Sequence, residues 1–156
     1  VSPESLAEHG FVRDTAGGWL YLAPDAEVLM SDAFLDSHCF RLVPGDGGLV
    51  GLGLEPVPGR DVPEIEGVLW LDAASGLLRR LEFRYVNLPF AHGRNWDRIG
   101  GQVEFEQLAN GVWIVRRWYI RMPGSARMGG SDWRPVPDLV TVIERGAEVV
   151  PVPTGG

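Results

Sequence analysis

The side chains that could carry chemistry are few and scattered along this chain. His38 and Cys39 are neighbours, which suggests a thiol–histidine pair. Adjacent residues of a strand point to opposite faces, so we predict instead that Cys39 is a buried core residue. Asp36 and His38 share a face and could begin a metal site, but the other two histidines lie in unrelated segments. We therefore predict no catalytic residue, no metal site and no cofactor.

Three carboxylates are the remaining candidates for acid–base work. Glu82, Glu104 and Glu106 fall on predicted strands among Arg80, Arg84 and Arg117. Exposed carboxylates that face arginines across a sheet form salt bridges more often than catalytic pairs. We predict cross-strand salt bridges.

The elements that must position these residues lie between Gly67 and Met122. Four segments there alternate between apolar and polar residues and predict consecutive antiparallel strands: Gly67–Asp72, Leu77–Asn87, Gln102–Leu108 and Val112–Met122. Asn110-Gly111 predicts a two-residue type I′ turn. That turn places Glu104 opposite Arg117 and Val103 opposite Trp118.

This register also predicts a candidate ligand site on the apolar face of the sheet. With Asp72 opposite Leu77, the first hairpin places Trp70 and Phe83 on one face, and the second hairpin adds Phe105 and Trp118. Arg116 falls opposite Phe105 on that face. Three alternatives stay open for Arg116: a bulge, a stem that packs while its charged head reaches water, or an anchor for an anionic ligand group. The predicted ligand-binding residues are Trp70, Phe83, Phe105, Arg116 and Trp118.

The rest of the chain predicts short strands and little helix. Ser2-Pro3 begins a helix that stops at Gly10, and Ser31 caps a further helical turn. Short strands are expected at 11–13, 19–22, 37–43, 49–57 and 139–144, and residues 26–30 are expected to be extended. Gly51, Gly53, Gly100 and Gly101 lie in or beside strands and predict strong curvature.

Two long connections, 88–101 and 123–137, carry aromatic and basic residues. Trp96 and Trp133 in these loops either cover an end of the sheet or line the mouth of a binding concavity. The fold class predicted from all these segments is all-β: a curved antiparallel sheet, half-barrel or sandwich, of about eight to ten strands with one or two short helices.

The bulk composition sets further limits. The 156 residues predict a single domain over 1–150 with a flexible tail at 151–156. A net charge of −7 argues against nucleic acid as a partner, and no apolar run reaches the ~18 residues of a membrane span. The start at Val1 predicts an excised domain or processed fragment. The oligomeric state is left open.

Five strings in the chain resemble a known family. They are LMSDAFL (29–35), HCFRL (38–42), GLVGL (48–52), GVLWLD (67–72) and WIVRRW (113–118). Together they resemble the C-terminal region of bacterial envelope proteins named for a carboxypeptidase regulatory-like domain, of the kind common in Gemmatimonadota. The resemblance spans about residues 2–148. It implies export to the periplasm or cell surface, which requires the unpaired Cys39 to be buried, and it implies no peptidase activity.

The hairpin from Trp70 to Glu82 is also similar to one in lipoprotein carriers of the LolA type, which are open β half-barrels with an apolar concave face. Two hypotheses of function follow. The first is a non-catalytic envelope module with a structural or binding role, whose partner is an apolar small molecule or an envelope protein. The second is a carrier or sensor of an apolar acyl ligand held on the concave face. A hydrolase is the least favoured alternative.

Overall fold

The computed structural model describes residues 1–124, 139 and 141–150. It is mostly β, as the sequence predicts, with nine strands in two antiparallel sheets. The N-terminal part contains three short helices, α1 (Pro3–His9), α2 (Ala26–Leu29) and α3 (Asp32–Ser37), and a hairpin of β1 (Val12–Thr15) and β2 (Gly18–Tyr21). The main sheet follows: β3 (His38–Pro44), β4 (Leu49–Pro56), β5 (Glu64–Asp72), β6 (Leu78–Val86), β7 (Gly100–Gln107), β8 (Trp113–Pro123) and β9 (Val142–Glu148).

The main sheet is an open meander in which the seven strands pair in chain order from β3 to β9. It is curved and not closed. Because side chains alternate along each strand, it has two faces. The apolar face carries Leu54, Leu81, Phe83 and Val103, whereas the polar face carries rows of Arg and Glu.

The N-terminal helices and hairpin cover the middle of the apolar face. Phe11 and Phe34 pack edge to face with ring centroids 6.3 Å apart, and both join the single core cluster that includes Leu81 and Phe83. The ring centroids of Tyr21 and Tyr85 are 5.5 Å apart, and the Tyr85 hydroxyl donates to the Leu22 carbonyl oxygen at 2.8 Å. The chain's own first 37 residues therefore occupy the central part of the face that was expected to hold a ligand.

The helix caps follow the sequence, with one exception. Ser2 caps α1, which ends at Gly10 with a φ of 75°, and Ser31 caps α3. Residues 26–30, predicted to be extended, instead form α2. The missed signal is Asp25, whose carboxylate accepts from the Val28 amide at 2.9 Å and so satisfies a free N–H of the first helical turn.

The turn of the β7–β8 hairpin differs from the prediction, yet the predicted register is correct. Leu108 N donates to Val112 O and Gly111 N donates to Leu108 O, each at 2.8 Å, and Gly111 has a φ of 83°. This is a three-residue loop with glycine in the left-handed conformation, not a two-residue turn. The loop shifts the register by one residue, and a bulge at Arg116 shifts it back. Glu104 therefore does face Arg117, and Val103 does face Trp118.

A bulge in the β5–β6 hairpin overturns another prediction. Leu71 pairs with Leu78 but Trp70 pairs with Arg80, so Arg79 is the extra residue. From Trp70 back to Glu64, each residue of β5 therefore pairs one position further along β6 than predicted, which reverses the face that it shares with β6 residues. Val68 and Trp70 consequently lie on the polar face, opposite to Phe83, and the prediction that they share a face with Phe83 is wrong.

The last strand is also displaced from its predicted place. It was expected at 139–144 and lies at Val142–Glu148, where it pairs with β8. None of the described helices has the length and apolarity needed to cross a membrane.

Candidate functional site

The five predicted ligand-binding residues do not form one site. Phe83 and Phe105 are 7% and 5% exposed and belong to the core, and Trp118 packs against the same core as a half-buried residue. Trp70 lies on the polar face, where its indole Nε1 donates to Glu82 at 3.2 Å. The aromatic cluster predicted to receive a ligand is therefore divided between the two faces.

Arg116 is the extra residue of a bulge, one of the three alternatives left open by the sequence. Its guanidinium donates to the Val149 carbonyl oxygen at 2.8 Å and lies 3.8 Å from Glu106 and 3.7 Å from Glu148. Val115 takes the place opposite Phe105 that was predicted for Arg116. Arg116 ties β8 to β7 and β9, and it is no anchor inside an apolar concavity.

An open apolar surface remains at the β3 edge of the apolar face. Leu42, Leu52 and Leu69 are cross-strand neighbours in one row that continues to Leu81 and Val103. Exposure falls along this row: Leu42 is 76% exposed, Leu52 and Leu69 are half-buried, and Leu81 is fully buried. Phe40, the next residue of β3 on this face, is 38% exposed. We call Phe40, Leu42, Leu52 and Leu69 the apolar strip.

A buried cluster of charged groups lies where β3 and β5 begin. His38 and Glu64 have side chains 0% and 1% exposed, with His38 Nε2 3.3 Å from a Glu64 carboxylate oxygen. Among the described residues Nε2 makes no hydrogen bond, despite this short distance. The other Glu64 oxygen accepts from Arg60 Nε at 2.6 Å, and Arg60 Nη2 donates to the Ala7 carbonyl oxygen at 2.5 Å.

The surroundings of His38 fix the orientation of its ring. Nδ1 lies 3.0 Å from the Phe34 carbonyl oxygen and 3.1 Å from the Ser37 hydroxyl oxygen. The Phe34 ring stacks on the imidazole with centroids 4.1 Å apart. This cluster joins α1, α3, β3 and β5. This cluster was not predicted, because Glu64 follows a proline-rich loop from which the register of β5 cannot be deduced.

Cys39 is exposed, which overturns the prediction of a core cysteine. The predicted alternation of β3 is correct: His38, Phe40 and Leu42 share one face, while Cys39 and Arg41 share the other. The error lies in the expectation that the face of β3 that carries Cys39 is covered, whereas Cys39 is exposed. Cys39 lies on edge strand β3 and pairs with Glu55 on the polar face. The condition that the envelope resemblance placed on Cys39 is therefore not met.

The prediction of cross-strand salt bridges is correct for one of the three candidate carboxylates. Glu106 on β7 lies 3.8 Å from Arg116 on β8, whereas the Arg80 Nε that lies 2.9 Å from Glu82 belongs to the same strand, β6. Glu104 accepts from Gln102 at 2.8 Å, while its cross-strand neighbour Arg117 pairs with Glu148 on β9. Within residues 1–124, 139 and 141–150, no group of three or more His, Cys, Asp and Glu has the geometry to hold a metal ion.

The 88–101 connection folds back over the N-terminal hairpin. The Phe90 ring lies 4.5 Å from Trp19 and 5.6 Å from Trp96, and the Trp96 indole donates to the His92 carbonyl oxygen. Trp96 thus covers the core, which is the first of its two predicted alternatives. Most of the second connection, including Trp133, lies outside the described residues, as does the tail at 151–156.

Among the described residues, three side chains have a clearly shifted pKa, each with an identifiable cause. Hydrogen bonds from the Ser75 amide and hydroxyl, and then from Arg79, lower the pKa of Asp72 to about 2. Burial raises the pKa of Tyr21 well above its ordinary value, and burial followed by the charge of Tyr21 does the same for the pKa of Tyr85. These groups belong to a turn and to the core, not to an open site.

No family model matches the chain, and neither a curated protein nor a solved structure resembles it significantly.

Proposed function

We propose that the protein is a non-catalytic binding module of the bacterial cell envelope, and that its ligand is an apolar acyl chain. The apolar strip carries this proposal. A contiguous row of leucines that passes from buried to 76% exposed is unusual on a protein surface unless something binds there. An acyl chain laid along Leu42, Leu52 and Leu69 would extend the existing core outward.

The buried charged cluster supports a non-catalytic role. His38 and Glu64 have the residue types of a catalytic pair, but their side chains are at most 1% exposed. A general base must come within hydrogen-bond reach of its substrate. Closed off beneath α1 and α3, this pair instead stabilises the N-terminal layer.

The cell envelope enters the proposal through the family resemblance alone, and the exposed, unpaired Cys39 counts against it. Fractionation of the source bacterium, with detection by an antibody against this chain, tests it. The proposal expects the protein in the envelope or periplasmic fraction. Recovery in the cytoplasmic fraction would contradict this part of the proposal without affecting the binding surface.

Titration with a fluorescent acyl probe tests the ligand. We expect saturable binding by the wild type, and an affinity about tenfold lower or worse in Leu42→Glu, because a charge replaces a leucine whose burial is worth ~1.5–3 kcal/mol. Leu20→Glu is the matched control. Leu20 is 44% exposed on β2, outside the apolar strip, and its neighbour Tyr21 packs against Tyr85 of β6. Absence of probe binding by the wild type would leave a structural role as the better account.

A further inference from the structure

We propose that the polar face carries a second site, a groove that binds a neutral oligosaccharide. The inference rests on the proposed binding role but uses the opposite face of the sheet and a different class of ligand. We call it the Gly100 groove. Its six side chains are those of Glu82, Asp97, Arg98, Gln102, Tyr119 and Arg121, and its floor is the backbone of Gly100 and Gly101.

The groove arises from the cross-strand register. On the polar face one row runs through Glu66, Arg84, Gly100, Arg121 and Glu144. Both ends of this row are closed by ion pairs, Arg84 with Glu66 and Arg121 with Glu144. Because Gly100 has no side chain, the row is interrupted at its centre. A Cβ added at Gly100 would lie 2.6 Å from the Arg84 Cα and nearer still to the Phe83 carbonyl oxygen, so no larger residue fits.

The depression is long enough for more than one sugar unit. A cavity of about 290 Å³ above Gly100 and Gly101 adjoins a second of about 220 Å³ above Gly67 and Val68. The two share Glu82 and Phe83 and together run across β5 to β8. Both cavities open to solvent, so a long oligosaccharide could lie in them and extend beyond their ends.

The polar groups of the groove include several with no partner. Within the described part of the chain, neither the Asp97 carboxylate, the Arg98 guanidinium nor the Tyr119 hydroxyl makes a hydrogen bond or ion pair. Asp97 and Arg98 are exposed, so water solvates them in the free protein and a ligand hydroxyl would take its place. The Gln102 amide donates to Glu104, and its carbonyl oxygen is unengaged in the same residues. These groups combine donors and acceptors within one depression. Hydroxyl groups satisfy such a mixture because each donates and accepts.

The charges of the groove argue for a neutral ligand. Arg98 and Arg121 are balanced by Glu82 and Asp97, and Arg121 already lies 2.9 Å from Glu144. An anion would meet two carboxylates, and a cation would meet two guanidinium groups. The overall charge of −7 adds to the repulsion of acidic polymers.

Tyr119 supplies the apolar contact that a sugar ring needs. Its ring is half-buried, and the Arg121 guanidinium carbon lies 5.0 Å from the ring centroid, which holds the ring in place. An aromatic ring with an available hydroxyl offers a flat apolar surface and a hydrogen-bonding tip side by side.

The test uses three neutral hexasaccharides: maltohexaose, cellohexaose and chitohexaose. We expect at least one to bind the wild type, with the largest amide chemical-shift changes at Gly100, Gly101 and Gln102. Arg121→Ala should lower the affinity about tenfold or more, since it removes a charged hydrogen-bond donor from the groove. Arg117→Ala is the matched control because Arg117 pairs with Glu148 on the same strands but lies outside the groove.

Three results would overturn the inference: no binding of any of the three hexasaccharides, shift changes centred elsewhere, or equal losses in Arg121→Ala and Arg117→Ala. The acyl-probe titration separates this failure from failure of the proposed function. If the probe binds and the hexasaccharides do not, only the groove is wrong. If neither binds, the binding role itself is wrong.

Discussion

Two regions of the main sheet hold their charged residues in opposite ways. At the start of β5, Glu64 is sealed beneath the N-terminal layer and contacts both His38 and Arg60. On the polar face, pairs such as Arg121 with Glu144 are about half exposed. A buried charge that loses its partner is costly, whereas an exposed pair contributes little because water replaces the partner. The comparison shows that a short distance between two exposed charges says little about stability, whereas the burial of Glu64 says much.

The largest expected effect comes from breaking the buried cluster. Glu64→Gln keeps the shape of the side chain but leaves Arg60 and His38 without their carboxylate, and we expect the free energy of unfolding to fall by ~3–5 kcal/mol. Glu144→Gln removes one exposed pair and should cost under ~1 kcal/mol. Urea unfolding of both variants measures the contrast. Equal losses of unfolding free energy in the two variants would show that burial does not set the contribution of these charged pairs to stability.

The next effect concerns the hydrogen bond that joins the N-terminal hairpin to β6. Tyr85→Phe leaves the Leu22 carbonyl oxygen without its donor and should lower the free energy of unfolding by ~1 kcal/mol. Tyr119→Phe on the polar face is the matched change, since the Tyr119 hydroxyl has no hydrogen bond in the described residues, and it should leave stability unchanged. A larger loss in Tyr119→Phe than in Tyr85→Phe would reverse the comparison.

A smaller effect is expected at the bulge of β8. Arg116→Met keeps the apolar stem and removes contacts with two half-exposed glutamates, so the loss of stability should stay under ~1 kcal/mol. Acyl-probe affinity should not change, because Arg116 lies away from the apolar strip. Thermal melts and the probe titration check both points. A selective loss of probe binding in Arg116→Met would restore the anchor that the sequence suggested.

The smallest effect is confined to the turn between β5 and β6. The pKa of Asp72 is lowered from 3.8 to about 2, so its contribution to stability is fully present above pH 3.8 and is lost as the pH falls through 2. Titration of the carboxyl carbon by NMR should give a midpoint near pH 2. In Arg79→Ala the midpoint should rise, because one hydrogen-bond donor to Asp72 is gone. A wild-type midpoint near 3.8 would contradict these contacts.

The sequence predicted the strands well and the faces less well, for a physical reason. Alternation and turn residues placed β5 to β8 within a few residues, because a period of two is visible in a single strand. A bulge adds one residue without any compositional mark, and here an arginine fills each bulge, Arg79 in one hairpin and Arg116 in the other. In the β5–β6 hairpin the bulge moved Trp70 to the other face. In the β7–β8 hairpin it cancelled the error in the predicted turn.

The candidate surfaces depended on contacts between distant segments. The exposure of Leu42 depends on where α3 ends and how far the N-terminal layer reaches, which local pattern does not show. The partners of Glu64, His38 and Arg60, lie in two other segments, which local pattern does not show either. Gly100 and Gly101 were singled out for curvature alone, and the register was needed to show that they also open a groove.

In the proposed function, the apolar strip and not the covered core receives an acyl chain. An amide chemical-shift titration of the wild type with lauric acid tests this claim most directly. We predict saturable shifts at Leu42, Leu52 and Leu69, with little change at Phe83, Phe105 and the Gly100 groove. Shifts centred on Phe83 and Phe105, or no shifts at all, would contradict it.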